Sequence, residues 1–345
     1  MLPNDLAPTL REPARETPVL GTWEVAVLGG GPAGIAAAAA AARAGCRTLL
    51  VERYGFLGGA GTAAGVTNFC GLHANIHGSH RRVVHGIATD LLARMAALGG
   101  LSTPHLAFGG RAMAQAYDTA ALKIAADVLL ASHGVTLLFH TLAAGVAMRA
   151  PGEVEALLVE TKSGRFAIRA ALFIDASGDG DLAAWAGARW EKGDAAGVML
   201  YPSTMFRLNA VDPAAAEAAL PSLPARMEEA AARGRPFPRK GPILRPQPHP
   251  IEWRANVTQL KNPDGSPVDG TDVWQMSVGE QEGRRQIAEV FAFLRAEMPG
   301  FGESYIVDLP PQLGIRETRR IRGRYALTEQ DVLGCADFPD AIGVN

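Results

Sequence analysis

The sequence predicts an α/β fold built on a parallel sheet, with a second lobe of mixed α+β character. Three observations carry this. Trp23 to Arg53 reads WEVAVLGGGPAGIAAAAAAARAGCRTLLVER: an apolar run, a glycine break, an alanine-rich run and a second apolar run, the order of a β–α–β unit. At 345 residues the chain exceeds what one hydrophobic core usually fills, which calls for two lobes. Beyond Trp190 the composition changes, because prolines gather between Pro236 and Pro250 and WRANVTQL alternates as an antiparallel strand does.

Residues 1–20, MLPNDLAPTLREPARETPVL, mix prolines with both signs of charge and hold no apolar segment, so they read as a surface leader and not a secretory signal. Val25 to Leu28 is the first strand, Pro32 to Ala44 the helix and Thr48 to Val51 the second strand. Residues 69–117 read as an insertion or cap, irregular and Gly- and His-containing, with one helical stretch in HGIATDLLARMAALGG. YDTAALKIAADVLLASHG is an amphipathic helix stopped by Gly134, and VTLLFHTLAAGVAM follows as strand. VEALLVET and FAIRAALFIDASG form a hairpin across KSGR, where Gly164 supplies the permissive turn conformation. A short helix from Ala183 to Ala188 closes a first lobe made of 21–68 and 118–190. Residues 191–345 are expected to form the substrate lobe, with WRANVTQL and VWQMSVG as strands and Trp253 and Trp274 as sheet packing, and then to start the return to the first lobe.

Composition excludes several classes. With 48% hydrophobic and 20% charged residues and a net charge of −2, nothing favours nucleic acid or an anionic membrane surface. The alanine run is too short to span a bilayer. Cys46, Cys70 and Cys335 are far apart, which fits reduced thiols in a cytoplasm and neither a disulfide framework nor a zinc site. His73, His77, His80 and His85 are irregularly spaced with no completing acid or cysteine, so no metal is expected. The oligomeric state is left open, a homo-oligomer included.

The chemistry begins at Gly29, Gly31 and Gly34, a G-x-G-x-x-G between a strand and a helix. Gly29 allows the tight turn, Gly31 lets a pyrophosphate approach the backbone, and Gly34 brings the helix close to the sheet. The helix dipole and free amides then face the phosphates. Glu52 ends the next strand, where a carboxylate accepts from ribose hydroxyls. This order of elements marks an adenine dinucleotide. A second glycine loop in RYGFLGGAGTAAGV, the acids Asp179 and Asp181 in SGDGD, and the arginines of GIRETRRIRG favour a larger ligand with a ring system over a plain nicotinamide cofactor.

GGGPAGIAAA, ERYGFLGGAGT, FIDASGDGDLA and LGIRETRRIRGRYALTEQDV together resemble the FAD-dependent oxidoreductases of the glutathione-reductase-type superfamily, in particular the fumarate-reductase-flavoprotein-like ones. The resemblance runs from about Pro18 to the C-terminus. It implies an FAD-binding Rossmann-like domain with a parallel sheet and a β-meander. It places dinucleotide contacts at Gly29, Gly31, Pro32, Ala33 and Gly34 with Glu52 and Arg53, and pyrophosphate and flavin contacts at Gly58, Gly59 and Thr62. An adenine-facing strand near Val146 and a further contact at Ala176, Gly178 and Asp179 complete the set. Such proteins continue past the position of Asn345 with a GR-x-[IV]-SA segment facing the flavin, so the chain is expected to lack that closing segment.

The expected reaction is hydride transfer between a small organic substrate, one that can bear a carboxylate, and the flavin, with an unnamed electron acceptor. Arg316 is the candidate clamp for substrate charge and His73 the candidate acid or base. Two other readings stand beside it: a non-catalytic nucleotide-binding remnant, and an NAD-dependent dehydrogenase.

Overall fold

The computed structural model describes residues 9–107, 109–239 and 243–339. The first lobe is organised by a six-stranded sheet in the order Thr136–Leu138, Thr48–Val51, Val19–Leu28, Gly164–Asp175, Glu153–Thr161, Leu142–Ala150. Its first four strands run parallel, and the last three pair antiparallel as a meander. Val25–Leu28 and Thr48–Val51 are buried throughout, as strands covered on both faces must be. On one face Ile35, Ala38 and Ala39 of the Pro32–Arg43 helix pack with Val27, Leu50 and Leu129. Alanine serves here because its small side chain lets the helix axis approach the sheet closely, and Pro32 sits in the first turn, where its missing N–H costs nothing.

Several boundaries differ from the sequence expectation. The first strand begins at Val19, inside the expected leader, because Gly164–Asp175 offers it a parallel partner from Ala167 onward. VTLLFHTLAAGVAM is two strands, Thr136–Leu138 in the parallel region and Leu142–Ala150 in the meander, and His140 between them has φ +51°. The closing helix is Asp181–Trp185. The 69–117 region is less irregular than expected: besides the Ile87–Ala97 helix it holds short paired strands such as His73–Ile76 with Ser79–Arg82.

The second lobe has a four-stranded antiparallel sheet ordered Ile243–Pro246, Trp253–Asn256, Phe206–Asn209, Tyr305–Asp308. Phe206, Trp253, Phe293 and Phe301 form its core, with Trp253 edge-on to Phe301 at 5.6 Å. VWQMSVG is not a strand: it opens the 25-residue helix Val273–Glu297, capped by Asp272, which accepts from the amides of Trp274 and Gln275. Seven residues span barely two helical turns, too few to separate periods of 2 and 3.6. The spacing of Ile287, Val290, Phe293 and Leu294 further on is helical. Trp253 is fully buried as expected, whereas Trp274 is 64% exposed. Arg207 ties the lobes, lying 2.6 Å from Glu252 and 3.6 Å from Asp118, the cap of the Thr119–Ser132 helix. Among the described residues no helix is long and apolar enough to cross a membrane.

Candidate functional site

The glycines of the first turn divide into two kinds. Gly29 has φ +101°, and a Cβ there would meet the Ala176 carbonyl oxygen at 2.3 Å; at Gly34 it would meet the Gly29 oxygen at 1.8 Å. Both are glycine so that backbones can touch. Gly31 is different: its φ is −72°, and the nearest atom to an added Cβ is the Gly59 Cα at 3.7 Å. A side chain at 31 would therefore stand in the cleft and not in the protein. Gly59, at φ +52°, faces Gly31 from the second glycine loop, and the Gly58 amide donates to the Gly30 oxygen at 2.8 Å, clasping the two loops together.

These loops border a cleft of about 310 Å³. The Pro32–Arg43 helix begins at it with no side-chain cap and no acid in its first turn, so its amides and positive dipole end keep an anion's place open. Glu52, 7% exposed, comes from the end of the adjacent strand; its carboxylate accepts from Gly30 N at 2.7 Å and from Tyr54 N at 2.9 Å. Two oxygens carry more lone pairs than those two amides use, so Glu52 can still accept from hydroxyls in the cleft it lines.

The third border is Ala176–Asp179, just past the end of the Gly164–Asp175 strand. Asp175 shapes it, accepting from the amide and hydroxyl of Ser177 and the amide of Ala183. Asp179 accepts from the Thr318 hydroxyl at 2.6 Å. Burial raises the Asp179 carboxyl above its ordinary range, against the opposing pull of the Thr318 bond, Arg53 and Arg319. Asp181, the second acid of SGDGD, is held by Arg319 at 2.6 Å. The second lobe closes the cleft with Met276, Gln312, Ile315 and Arg316. Arg53 and the Tyr54 hydroxyl both donate to Gln312 Oε1 across the lobes, and burial raises the Tyr54 phenol.

Of the residues expected at the site, Gly29, Gly31, Pro32, Ala33, Glu52, Arg53, Gly59, Ala176, Gly178, Asp179 and Arg316 all border this one cleft. Gly34, Gly58 and Thr62 stand behind it: the Thr62 hydroxyl donates to the Leu57 oxygen at 2.8 Å and braces the loop. Val146 lies in the meander opposite Leu157 and away from the cleft. His73 is not brought to it either; it lines a separate cavity with Leu72, Arg82 and Thr89 in the 69–117 region, because its strand turns away from the second glycine loop. Tyr54, Ser177, Met276, Gln312, Ile315 and Thr318 were not foreseen. Tyr54, Ser177, Ile315 and Thr318 sit inside quoted motifs and are legible by adjacency, whereas Met276 and Gln312 reach the cleft only through the packing of the lobes. The described residues hold no group of three or more potential metal ligands, and the three cysteines are free.

A glycine cradle with one open face, an uncapped helix start and a carboxylate at the end of the next strand fit an adenine dinucleotide. The family described as FAD dependent oxidoreductase matches residues 24–345. The chain belongs to that family. FAD is thus the cofactor to set against the cradle, and the fold agrees. CabE, an aromatic hydroxylase from angucycline biosynthesis, superposes with a TM-score of 0.51 at 15% identity, over 88% of this chain and 54% of CabE. BexE, studied for oxidation during BE-7585A biosynthesis, gives 0.50 at 15% identity, over 87% of this chain and 53% of BexE. Glycine oxidase from Geobacillus kaustophilus gives 0.48 at 16% identity, over 86% and 83%. The chain spans about half the length of CabE and BexE. No curated protein matches it.

Proposed function

We propose that this FAD-dependent oxidoreductase holds the adenosine diphosphate half of FAD between the Gly29–Gly34 turn and Glu52, and transfers hydride between a small organic substrate and the flavin. The observation that carries this is Gly31 opposite Gly59: unlike Gly29, Gly30 and Gly34, it is a glycine of the turn where an added side chain would overlap no protein atom and would enter the cleft. Bound there, FAD supplies two-electron chemistry, accepting a hydride equivalent from a substrate carbon or returning one.

The protein's part is binding and orientation. The amides at the start of the Pro32–Arg43 helix receive the phosphate charge. The spare lone pairs of Glu52 take the ribose hydroxyls. Asp179, kept on the Thr318 hydroxyl, offers its other oxygen to the polyol of the cofactor. Arg53, Tyr54 and Gln312 join the lobes over the cleft and limit water entry. Arg316, held by the Tyr201 oxygen at 2.9 Å and Ser203 Oγ at 3.2 Å, presents a fixed positive charge at the cleft's edge for an anionic substrate. A division into 21–68 with 118–190 against 191–345 is supported by the six-stranded sheet falling almost wholly in the first set and the four-stranded sheet in the second, and free thiols favour a cytoplasmic setting.

The deciding experiment is the visible absorption spectrum of the isolated protein, followed by thermal melts with added FAD or NAD and by anaerobic reduction with candidate acids. Bound flavin bands and stabilisation by FAD alone are expected. A protein that stays colourless in excess FAD, or is stabilised by NAD instead, overturns the proposal.

A further inference from the structure

Beside the cleft, the second lobe gathers guanidiniums that have no acidic partners. Arg316 borders the cleft and also a second cavity of about 320 Å³, which it shares with Arg239, Ser203 and Thr258. Arg239 donates to the Asn256 amide oxygen at 2.6 Å, and Arg316 to a carbonyl and a hydroxyl. Among the described residues neither forms an ion pair. Burial and then the Arg316 charge lower the Arg239 guanidinium.

Arg254, two residues before Asn256 on the same strand, adds a third uncompensated charge. It is 5% exposed, and its Nε has no partner. Its other contacts are neutral: the Met205 sulfur at 3.2 Å and the Asn68 side-chain amide, whose oxygen accepts at 3.1 Å once that amide is turned over to satisfy its neighbours. Burial, then Arg245, hold it down to about 10, and Arg239 pulls the same way. Some other arginines do lie against carboxylates, Arg207, Arg285 and Arg319 among them. Arg254 is the buried one of the three; Arg239 is half-buried and Arg316 is exposed at the cavity's edge, so an anion entering the cavity meets two guanidiniums that water can reach and that no carboxylate among the described residues engages.

We propose that Arg239 and Arg316 form a two-guanidinium seat for an oxyanion carried by the substrate, a carboxylate or a phosphate. The planar forks of two arginines match the oxygens of such a group, and the Ser203 and Thr258 hydroxyls lie in the same cavity. Because Arg316 faces both spaces, an anion seated there leaves the rest of its molecule directed to the cleft. The inference rests on the flavin reading for the chemistry that follows, but not for the anion itself.

The test uses the full chain supplied with FAD. Melting temperature is followed while succinate, inorganic phosphate or the neutral succinamide is added at constant ionic strength. A saturable rise with succinate or with phosphate, and none with succinamide, is expected; which anion acts tells the carboxylate from the phosphate. Arg239→Gln and Arg316→Gln should each weaken that effect about 10- to 100-fold, the range for a hydrogen bond to a charged group, and Arg239→Lys should retain part of it. Ligand-free Arg239→Gln should melt at or above the parent temperature, since it relieves repulsion, and should keep the parent's FAD content. No rise with either anion, or a rise unchanged in both glutamine variants, overturns the proposal. Failure of the flavin reading shows separately, as a colourless protein whose anion titration is still readable.

Discussion

The Gly30 amide donates to Glu52 Oε2 at 2.7 Å, so the glycine turn and the end of the neighbouring strand are one rigid unit. The other Glu52 oxygen holds the Tyr54 amide, and Tyr54 in turn reaches Gln312 in the second lobe. One buried carboxylate thus connects the phosphate turn to the wall contributed by the distant lobe.

Replacing Glu52 with Gln sets an NH2 group against one of those two amides. A buried donor left without an acceptor costs about 1–3 kcal/mol. Glu52→Gln should lower the free energy of unfolding by that amount, moving the denaturation midpoint down, and weaken FAD binding as well. A variant matching the parent in both midpoint and FAD titration would remove Glu52 from the site.

Gly31 and Gly34 should respond in opposite ways. With 3.7 Å to its nearest neighbour and an extended backbone, Gly31→Ala should fold with stability within about 0.5 kcal/mol of the parent, as surface changes do, yet lose FAD affinity by tenfold or more on the order expected for blocking a phosphate's approach. Gly34→Ala puts a methyl 1.8 Å from a backbone carbonyl and should cost about 2 kcal/mol or more with or without FAD. Calorimetric melts with and without cofactor separate the two; equal losses of stability would show that Gly31 is also a packing glycine.

Asp179 gives a pH signature. Its folded carboxyl is raised, chiefly by burial, so between the unfolded value of 3.8 and the folded value the native state holds more protons than the unfolded one. Stability from this group therefore falls as pH rises through that window, and the penalty is complete above it. Asp179→Asn keeps an acceptor for the Thr318 hydroxyl and should be the more stable protein at pH 7, the gap closing as pH drops below the window. A variant less stable than the parent at pH 7 would contradict the burial argument.

His73 borders a different cavity from the cleft lined by Gly31 and Glu52. His73→Ala should leave the FAD content and the visible spectrum unaltered. A displaced flavin spectrum in this variant would mean that the 69–117 region closes over the cofactor.

What the sequence made legible is what neighbours in the chain decide. The β–α–β unit, the Gly29–Gly34 turn, Glu52 and the loop after Asp175 lie within short stretches whose spacing is dictated by backbone geometry. Their convergence on one cleft follows from the parallel pairing of Val19–Leu28 with both Thr48–Val51 and Gly164–Asp175. The rest was not legible for physical reasons. Met276 and Gln312 reach the cleft through packing between lobes, which no local pattern encodes. VWQMSVG is too short to reveal its period, and His73 follows the second glycine loop in sequence while its hairpin leads elsewhere. Arg239 stands in a proline-rich stretch with nothing nearby to mark it, and its meaning comes from the absence of an acid around it.

The cleft draws on Gly29 at one extreme and Thr318 at the other, with walls from residues 52–63, 176–179 and 270–276 between them. On a ribosome, then, the glycine turn, Glu52 and Gly59 are made early, while the walls from residues 270–318 come near the end of synthesis. The cleft is whole only once that last wall has docked, so a ligand filling all of it would report on the whole tertiary structure at once.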